Sequence, residues 1–181
     1  MSIENLISLC KHRWALPALC ALAAGAPLRA YPLAQYLGGG RAGVKQGLDH
    51  LIALGFVKKT SGHGHPLRPE IYITKTGHEM AIMATPYAHG LAELPMLGGK
   101  PLGRWALPAL TLAQTPIRFN DFGRAMPAIT DRALSLTLQD LEAKTLLSFK
   151  RQGSGRRALG LYQATKTGQK ITKSFISLSA A

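Results

Sequence analysis

The apolar positions of the C-terminal half follow a fixed succession of periods. Leu107, Leu110 and Leu112 predict a helix from about Leu102 to Gln114, with Pro108 tolerated in the first turn or at a kink and Pro116 closing it. Phe119, Phe122 and Met126, three and four apart, predict a short second helix. Pro127 and Ala128 then turn the chain, and Thr130 stands where a hydroxyl can cap a third helix reaching about Lys144. Leu134, Leu138 and Leu141 share one face of that helix, leaving Asp131, Arg132, Ser135 and Gln139 on the other. Two strand segments follow, Leu146 to Arg151 and Leu159 to Ala164, around a tip rich in Gly and Arg. A last helix from near Thr167 carries Ile171, Phe175 and Leu178 on one stripe.

The N-terminal half has the same order of elements. Helices are expected from Trp14 to Ala24, Tyr31 to Leu37 and Arg41 to Leu54, followed by strands Phe56 to Thr60 and Glu70 to Thr74. The two halves also share words. Arg13-Trp14-Ala15-Leu16-Pro17-Ala18-Leu19 recurs unchanged as Arg104 to Leu110, and Thr74-Lys75-Thr76-Gly77 recurs as Thr165 to Gly168. Between these words, Pro27-Leu28-Arg29 matches Pro116-Ile117-Arg118, Val44, Leu48 and Leu51 match Leu134, Leu138 and Leu141, and Tyr72 matches Tyr162. Such self-similarity predicts a duplication. The units are 1–94 and 102–181, separated by a linker, 95–101, that Pro95, Gly98, Gly99 and Pro101 punctuate. Three helices, a basic hairpin and a trailing helix constitute a winged helix. The expected fold is therefore mainly α with small β-hairpins (α+β), as two tandem winged helix-turn-helix domains.

Charge adds a partner class to this picture. The chain has 22 Lys plus Arg against 9 Asp plus Glu, a net charge of +13, which attracts polyanions such as double-stranded DNA. A basic protein resting on anionic lipid has the same composition. No run of 18 uncharged apolar residues exists to span a bilayer, so no membrane partner is expected. Near the N-terminus, Glu4 and a short apolar stretch precede the basic residues, the wrong order for a secretory signal, and a cytoplasmic, nucleoid-associated location is expected. Cys10 and Cys20 lack zinc or disulfide spacing and are read as buried or semi-buried thiols.

Arg118-Phe119-Asn120-Asp121-Phe122, Ile129 to Ser135, Leu138-Gln139-Asp140-Leu141-Glu142, and Tyr162 with Thr165 to Gly168 resemble the HxlR-type winged helix regulators, in the wider company of MarR and PadR types. Trp105 with its apolar run fits that resemblance, which is good across the second unit and looser across the first. It implies a bacterial-type transcription factor on a roughly palindromic operator, usually a homodimer with one winged helix per subunit. Three departures qualify it. Two units share one chain, so a pseudo-dimeric monomer and a homodimer both remain open. Cys10 lies only four residues before Trp14, so the redox role of oxidant-sensing members is not carried over. The first recognition helix follows Gly38-Gly39-Gly40 and contains Gly43 and Gly47, each costing ~1 kcal/mol relative to Ala, so it is expected to fray until docked.

A recognition helix presents its N-terminal residues to base edges in the major groove. The candidates are Thr130, Asp131, Arg132 and Ser135 in the second unit and Arg41, Lys45 and Gln46 in the first. Asp131 would be repelled by phosphates unless it pairs with Arg132 or caps its helix. The wing candidates are Lys150, Arg151, Arg156 and Arg157 in the second unit, and Lys58, Lys59, His63, His65 and Arg68 in the first. His63 and His65 have no Cys or carboxylate cluster to complete a metal set, and no metal or cofactor is expected. Gly38 to Lys45 resembles a phosphate-binding loop but has Val44 where Lys is required and no Ser or Thr after Lys45. With no candidate catalytic set, no enzyme activity is expected. Trp14 and Trp105 open apolar helices and are read as packing residues rather than stacking platforms. The stripe Met80, Met83, Tyr87 and Leu91, like that on the last helix, is read as a packing surface between units or subunits, with an effector pocket between the stripes as the open alternative.

The expected function is sequence-specific duplex DNA binding by a transcriptional regulator with two unequal winged helices on an imperfect palindrome. Two alternatives remain open: an architectural or replication-associated protein with little sequence preference, and a tandem winged helix protein-interaction adaptor, against which the +13 charge argues.

Overall fold

The computed structural model describes residues 3–61, 69–82, 84, 102–153 and 159–179, with side chains of the last helix described through Thr172. The chain divides into two compact units, Leu9–Ala88 and His89–Ala181, with Ser2–Ser8 grouped with the second.

The chain opens with α1 (Ile3–Cys10), a helix that the periodicity argument did not anticipate. Its signal was present: Leu6, Leu9 and Cys10 recur at helical spacing, and all three are buried. In the first unit, α2 (Ala15–Ala23), α3 (Ala30–Tyr36) and α4 (Arg41–Ala53) precede an antiparallel hairpin, β1 (Val57–Lys59) with β2 (Ile71–Ile73), and a helix α5 (residues 75–82). In the second, α6 (Ala106–Leu112), α7 (Phe119–Ala125) and α8 (Asp131–Ala143) precede β3 (Leu147–Gln152), β4 (Leu159–Ala164) and α9 (Lys166–Ser179). Mixed helix with small antiparallel hairpins is the architecture of a winged helix. The expected elements form with boundaries moved by a few residues, most at α6, which starts four residues later than expected.

Proline stands third in both α2 and α6. In a first turn the missing N–H has no intrahelical acceptor to lose, so Pro17 and Pro108 leave both helices intact. The helices that follow bury the same stripe, Val44, Leu48 and Leu51 in α4 and Leu134, Leu138 and Leu141 in α8. Both end alike. Gly55 (φ 74°) and Thr145 (φ 55°) adopt the left-handed conformation. The next residue then donates back to the helix, Phe56 N–H to Leu51 O at 3.0 Å and Leu146 N–H to Leu141 O at 2.9 Å.

The repeated Thr-Lys-Thr-Gly word has a common structural use. Thr74 accepts the Gly77 N–H at 3.0 Å while its hydroxyl reaches Gly55 O at 2.8 Å. Thr165 accepts the Gly168 N–H at 3.2 Å and donates to Thr145 O at 2.7 Å. One threonine thus caps the trailing helix and ties it to the end of the preceding one.

The hairpins have equivalent registers, Val57 opposite Ile73 and Leu147 opposite Ala164. A third segment joins each: Ile71 N–H donates to Leu28 O at 2.7 Å, and Ile117 and Tyr162 exchange bonds of 2.9 and 2.8 Å. Tyr162 therefore occupies the position of Ile71. The sequence pairing of Tyr162 with Tyr72 is corrected: Tyr72 faces the other side of its sheet, where the second unit has Gln163, because a one-residue slip reverses every side chain in a strand.

Candidate nucleic-acid interface

The helix expected to serve recognition in the first unit, α4, is continuous over its 13 residues, Gly43 and Gly47 included. Its glycines provide room for Trp14. A Cβ at Gly39 or Gly43 would lie 2.8 or 2.9 Å from the indole, and one at Gly47 would lie 2.9 Å from the backbone of Trp14 and Ala15. Close approach of α2 to α4 offsets the low helix propensity of glycine. Trp105 is buried and Trp14 half-buried, each beneath the arginine that precedes it, at 5.2 Å for Arg104 and 5.3 Å for Arg13. Both indoles pack as expected.

On α4 the candidates Arg41, Lys45 and Gln46 are all exposed. Arg41 lies over the Tyr31 ring at 4.5 Å, and Lys45 pairs with Asp49 at 2.7 Å on a solvated face. An exposed i,i+4 pair is worth about 0–1 kcal/mol, so Lys45 can exchange Asp49 for a phosphate at small cost. Lys58 and Lys59 are exposed on β1 and point to opposite faces of the hairpin. At its base, Glu70 accepts from Arg29 at 3.3 Å and from the Tyr72 hydroxyl at 2.5 Å. The bond to the Glu70 carboxylate holds the phenolic proton and raises the pKa of Tyr72.

On α8, Thr130 caps the helix by accepting the Ala133 N–H at 3.3 Å, as its position in the sequence implies. Thr130, Asp131 and Arg132 are exposed and Ser135 is half-buried. Asp131 stands in the first turn, where the helix dipole favours its charge without a partner. Arg132 forms no ion pair among the described residues. Asp121 and Asp140 hold other cations, Arg124 at 2.8 Å and Lys144. Lys150 and Arg151 are exposed on β3. His63, His65, Arg68, Arg156 and Arg157 lie outside the described residues, as do Met83, Tyr87, Leu91 and the side chains of Phe175 and Leu178. Met80 is buried, and Ile171 is half-buried.

Sequence reasoning overlooked Leu136, 57% exposed on the outer face of α8. It lies one helical turn from Arg132 and presents an apolar side chain to solvent. Its signal was its place off the stripe formed by Leu134, Leu138 and Leu141.

The thiols are poorly placed for reaction. Cys10 is buried, and burial pushes the Cys20 pKa up to about 11. No group of three or more His, Cys, Asp or Glu that could hold a metal occurs among the described residues. No described helix is long and apolar enough to cross a membrane.

Residues 102–180 match the family described as HxlR-like helix-turn-helix. That stretch contains α6 to α9 and the β3–β4 hairpin. Among solved structures the chain is similar to diamide-treated YodB from B. subtilis, at 19% identity and a TM-score of 0.36, over 49% of this chain and 84% of that one. A search of curated proteins gives no significant match.

Proposed function

We propose that the chain is a non-enzymatic transcriptional regulator that binds duplex DNA through two winged helices, one in 1–94 and one in 102–181, joined by 95–101. The observation that carries this reading is α8. Within the segment that matches the HxlR-like helix-turn-helix family, a capped helix buries one leucine stripe and turns Thr130, Asp131 and Arg132 to solvent, and the hairpin that follows it exposes Lys150 and Arg151. That is the division of labour a winged helix needs, base-edge contacts from a helix and phosphate contacts from a hairpin. The first unit supports the same use with Arg41, Lys45 and Gln46 on α4 and Lys58 and Lys59 on β1. The tip residues His63, His65, Arg68, Arg156 and Arg157 complete the two wings in this reading.

The recurrence of the same caps, helix ends and strand register supports descent of both units from one duplicated winged helix. Their outward residues differ, Arg41 for Asp131, Lys45 for Ser135 and Gln46 for Leu136, so the two half-sites are unequal. A pseudo-dimeric monomer would set them about one helical turn apart, roughly 34 Å. The protein would then act in the cytoplasm, on the nucleoid. Footprinting on genomic fragments tests this reading: protection over two adjacent major grooves is expected. Protection of a single half-site would remove the two-unit reading, and equal affinity for random duplex would remove the operator.

A further inference from the structure

The two hairpins share a register but not the side chains at its outer rungs. In the second unit the second rung beyond Leu147 and Ala164 pairs Phe149 with Tyr162, their rings 4.9 Å apart, and Phe122 meets Tyr162 at 6.0 Å. Phe149 also covers Gly160, where an added Cβ would lie 2.7 Å from its ring. The equivalent positions of the first unit are Lys59, Ile71 and Pro69, so the space that aromatic rings fill in one unit is open in the other. A cleft is found there. Leu48, Ile52 and Ile71 give it an apolar floor, and Arg41, Lys45 and Lys59 stand around it with Tyr31, above which Arg41 is stacked. Among the described residues Asp49 is the single acid in this lining, and Lys45 already engages it.

We propose that this cleft is a ligand site for an amphipathic carboxylate, an anionic head on a compact apolar body, that competes with DNA for the same cations. Apolar walls with a few placed charges are what a small-molecule site requires. Three cations against one paired acid select an anion, and the guanidinium of Arg41 offers a carboxylate two parallel donors. Aryl and acyl carboxylates share this chemistry. The antagonism of DNA binding rests on the function proposed above, because Arg41 and Lys45 are there assigned to the recognition helix. The binding itself does not.

Calorimetric titration of the full chain without DNA, using 1-naphthoate and octanoate, tests the site, with inorganic phosphate and 1-naphthylmethanol as controls. Saturable binding of one equivalent of either carboxylate is expected, and which one binds more tightly assigns the aryl or acyl source. The control ligands should bind more weakly by about tenfold or more, since each lacks one half of the recognition. Lys59→Phe restores the ring of the second unit and should abolish binding. Ala30→Phe, on the exposed rim, should weaken it while leaving the core untouched. No heat with either carboxylate, equal binding of phosphate, or undiminished binding in both variants overturns the proposal. In a gel-shift titration, saturating carboxylate should raise the apparent Kd for duplex by about threefold or more, as competition for the same groups demands. Carboxylate binding with unchanged duplex affinity removes the antagonism. Failure of the ligand-free chain to bind duplex removes the DNA reading alone, because the calorimetric result is independent of it.

Discussion

Gly77 and Gly168, the last residues of the repeated Thr-Lys-Thr-Gly word, lie where no side chain fits. A Cβ at Gly77 would be 1.9 Å from Phe56 O and 2.8 Å from Phe56 C, and one at Gly168 would be 2.1 Å from Leu146 O. The obstacle is backbone, so no rotamer change relieves it. Overpacking against such a neighbour costs about 1–3 kcal/mol. The same Phe56 carbonyl accepts the Thr74 N–H at 3.0 Å and lies 3.1 Å from the Thr74 hydroxyl. Pushing it away weakens bonds worth about 0.5–1.5 kcal/mol each. Replacing a helical glycine returns up to ~1 kcal/mol of propensity. Gly77→Ala should therefore cost roughly 2–4 kcal/mol, and Gly168→Ala a similar amount. With two tryptophans in the chain, Trp14 in the first unit and Trp105 in the second, fluorescence in a urea titration can report each separately in Trp→Phe backgrounds. Gly77→Ala should move the Trp14 transition and Gly168→Ala that of Trp105. Gly123→Ala, where an added Cβ meets nothing within 4 Å, is the control. A loss below about 1 kcal/mol for either variant, no more than one hydrogen bond is worth, would refute the steric argument.

Further outcomes follow from the geometry. Arg132→Ala should relax base preference at one operator position by about 1–3 kcal/mol, while Lys150→Ala with Arg151→Ala should weaken binding to every duplex and flatten its salt slope by about two phosphates' worth; binding-site selection and affinity against salt separate these effects. Cys20 should resist a disulfide reagent at neutral pH in the native protein, since its pKa stands at about 11. The folded state holds that proton more tightly than the unfolded chain, so its contribution to stability is complete below pH 9.0 and is lost as pH rises from 9.0 through about 11; urea midpoints against pH, with Cys20→Ala as reference, measure it. Thr145→Gly should stabilise the second unit by ~1 kcal/mol, because a β-branched residue at φ 55° is strained where the first unit has Gly55, and thermal melts would show it as a higher Tm.

Local rules located most of the frame. The leucine stripes of α4 and α8, the Thr130 cap and the extent of β4 were all legible in the sequence, because each depends on residues close together in the chain. What escaped depends on partners far away. Gly43 and Gly47 read as weak points until Trp14, some thirty residues earlier, is laid against them, and propensity counts a glycine's cost but not the close approach it permits. The pairing of Tyr72 with Tyr162 failed for a different reason, since like residues in a strand are equivalent only if the register places them on one face. The cleft beside α4 was invisible to both kinds of rule. Lys59 and Ile71 are ordinary strand residues, and only their second-unit counterparts Phe149 and Tyr162 reveal that something is missing between them.

The contrast between the units separates frame from reading surface inside a single chain. The two words that recur without change serve construction: the apolar helix with its buried or half-buried tryptophan, and the threonine cap whose glycine passes under a carbonyl. Most outward positions of α4 and α8 differ. Arg41 stands against Asp131, Lys45 against Ser135 and Gln46 against Leu136, so one helix offers cations and the other a capped, mixed surface with an exposed leucine. Packing tolerates little change because a misplaced Cβ meets backbone, whereas a solvated face tolerates nearly any residue. Under the proposed function, the two units would thereby read different sequences. The first copy is also free to exchange the ring of its hairpin for a lysine, opening the cleft where its recognition cations and a small anion would meet.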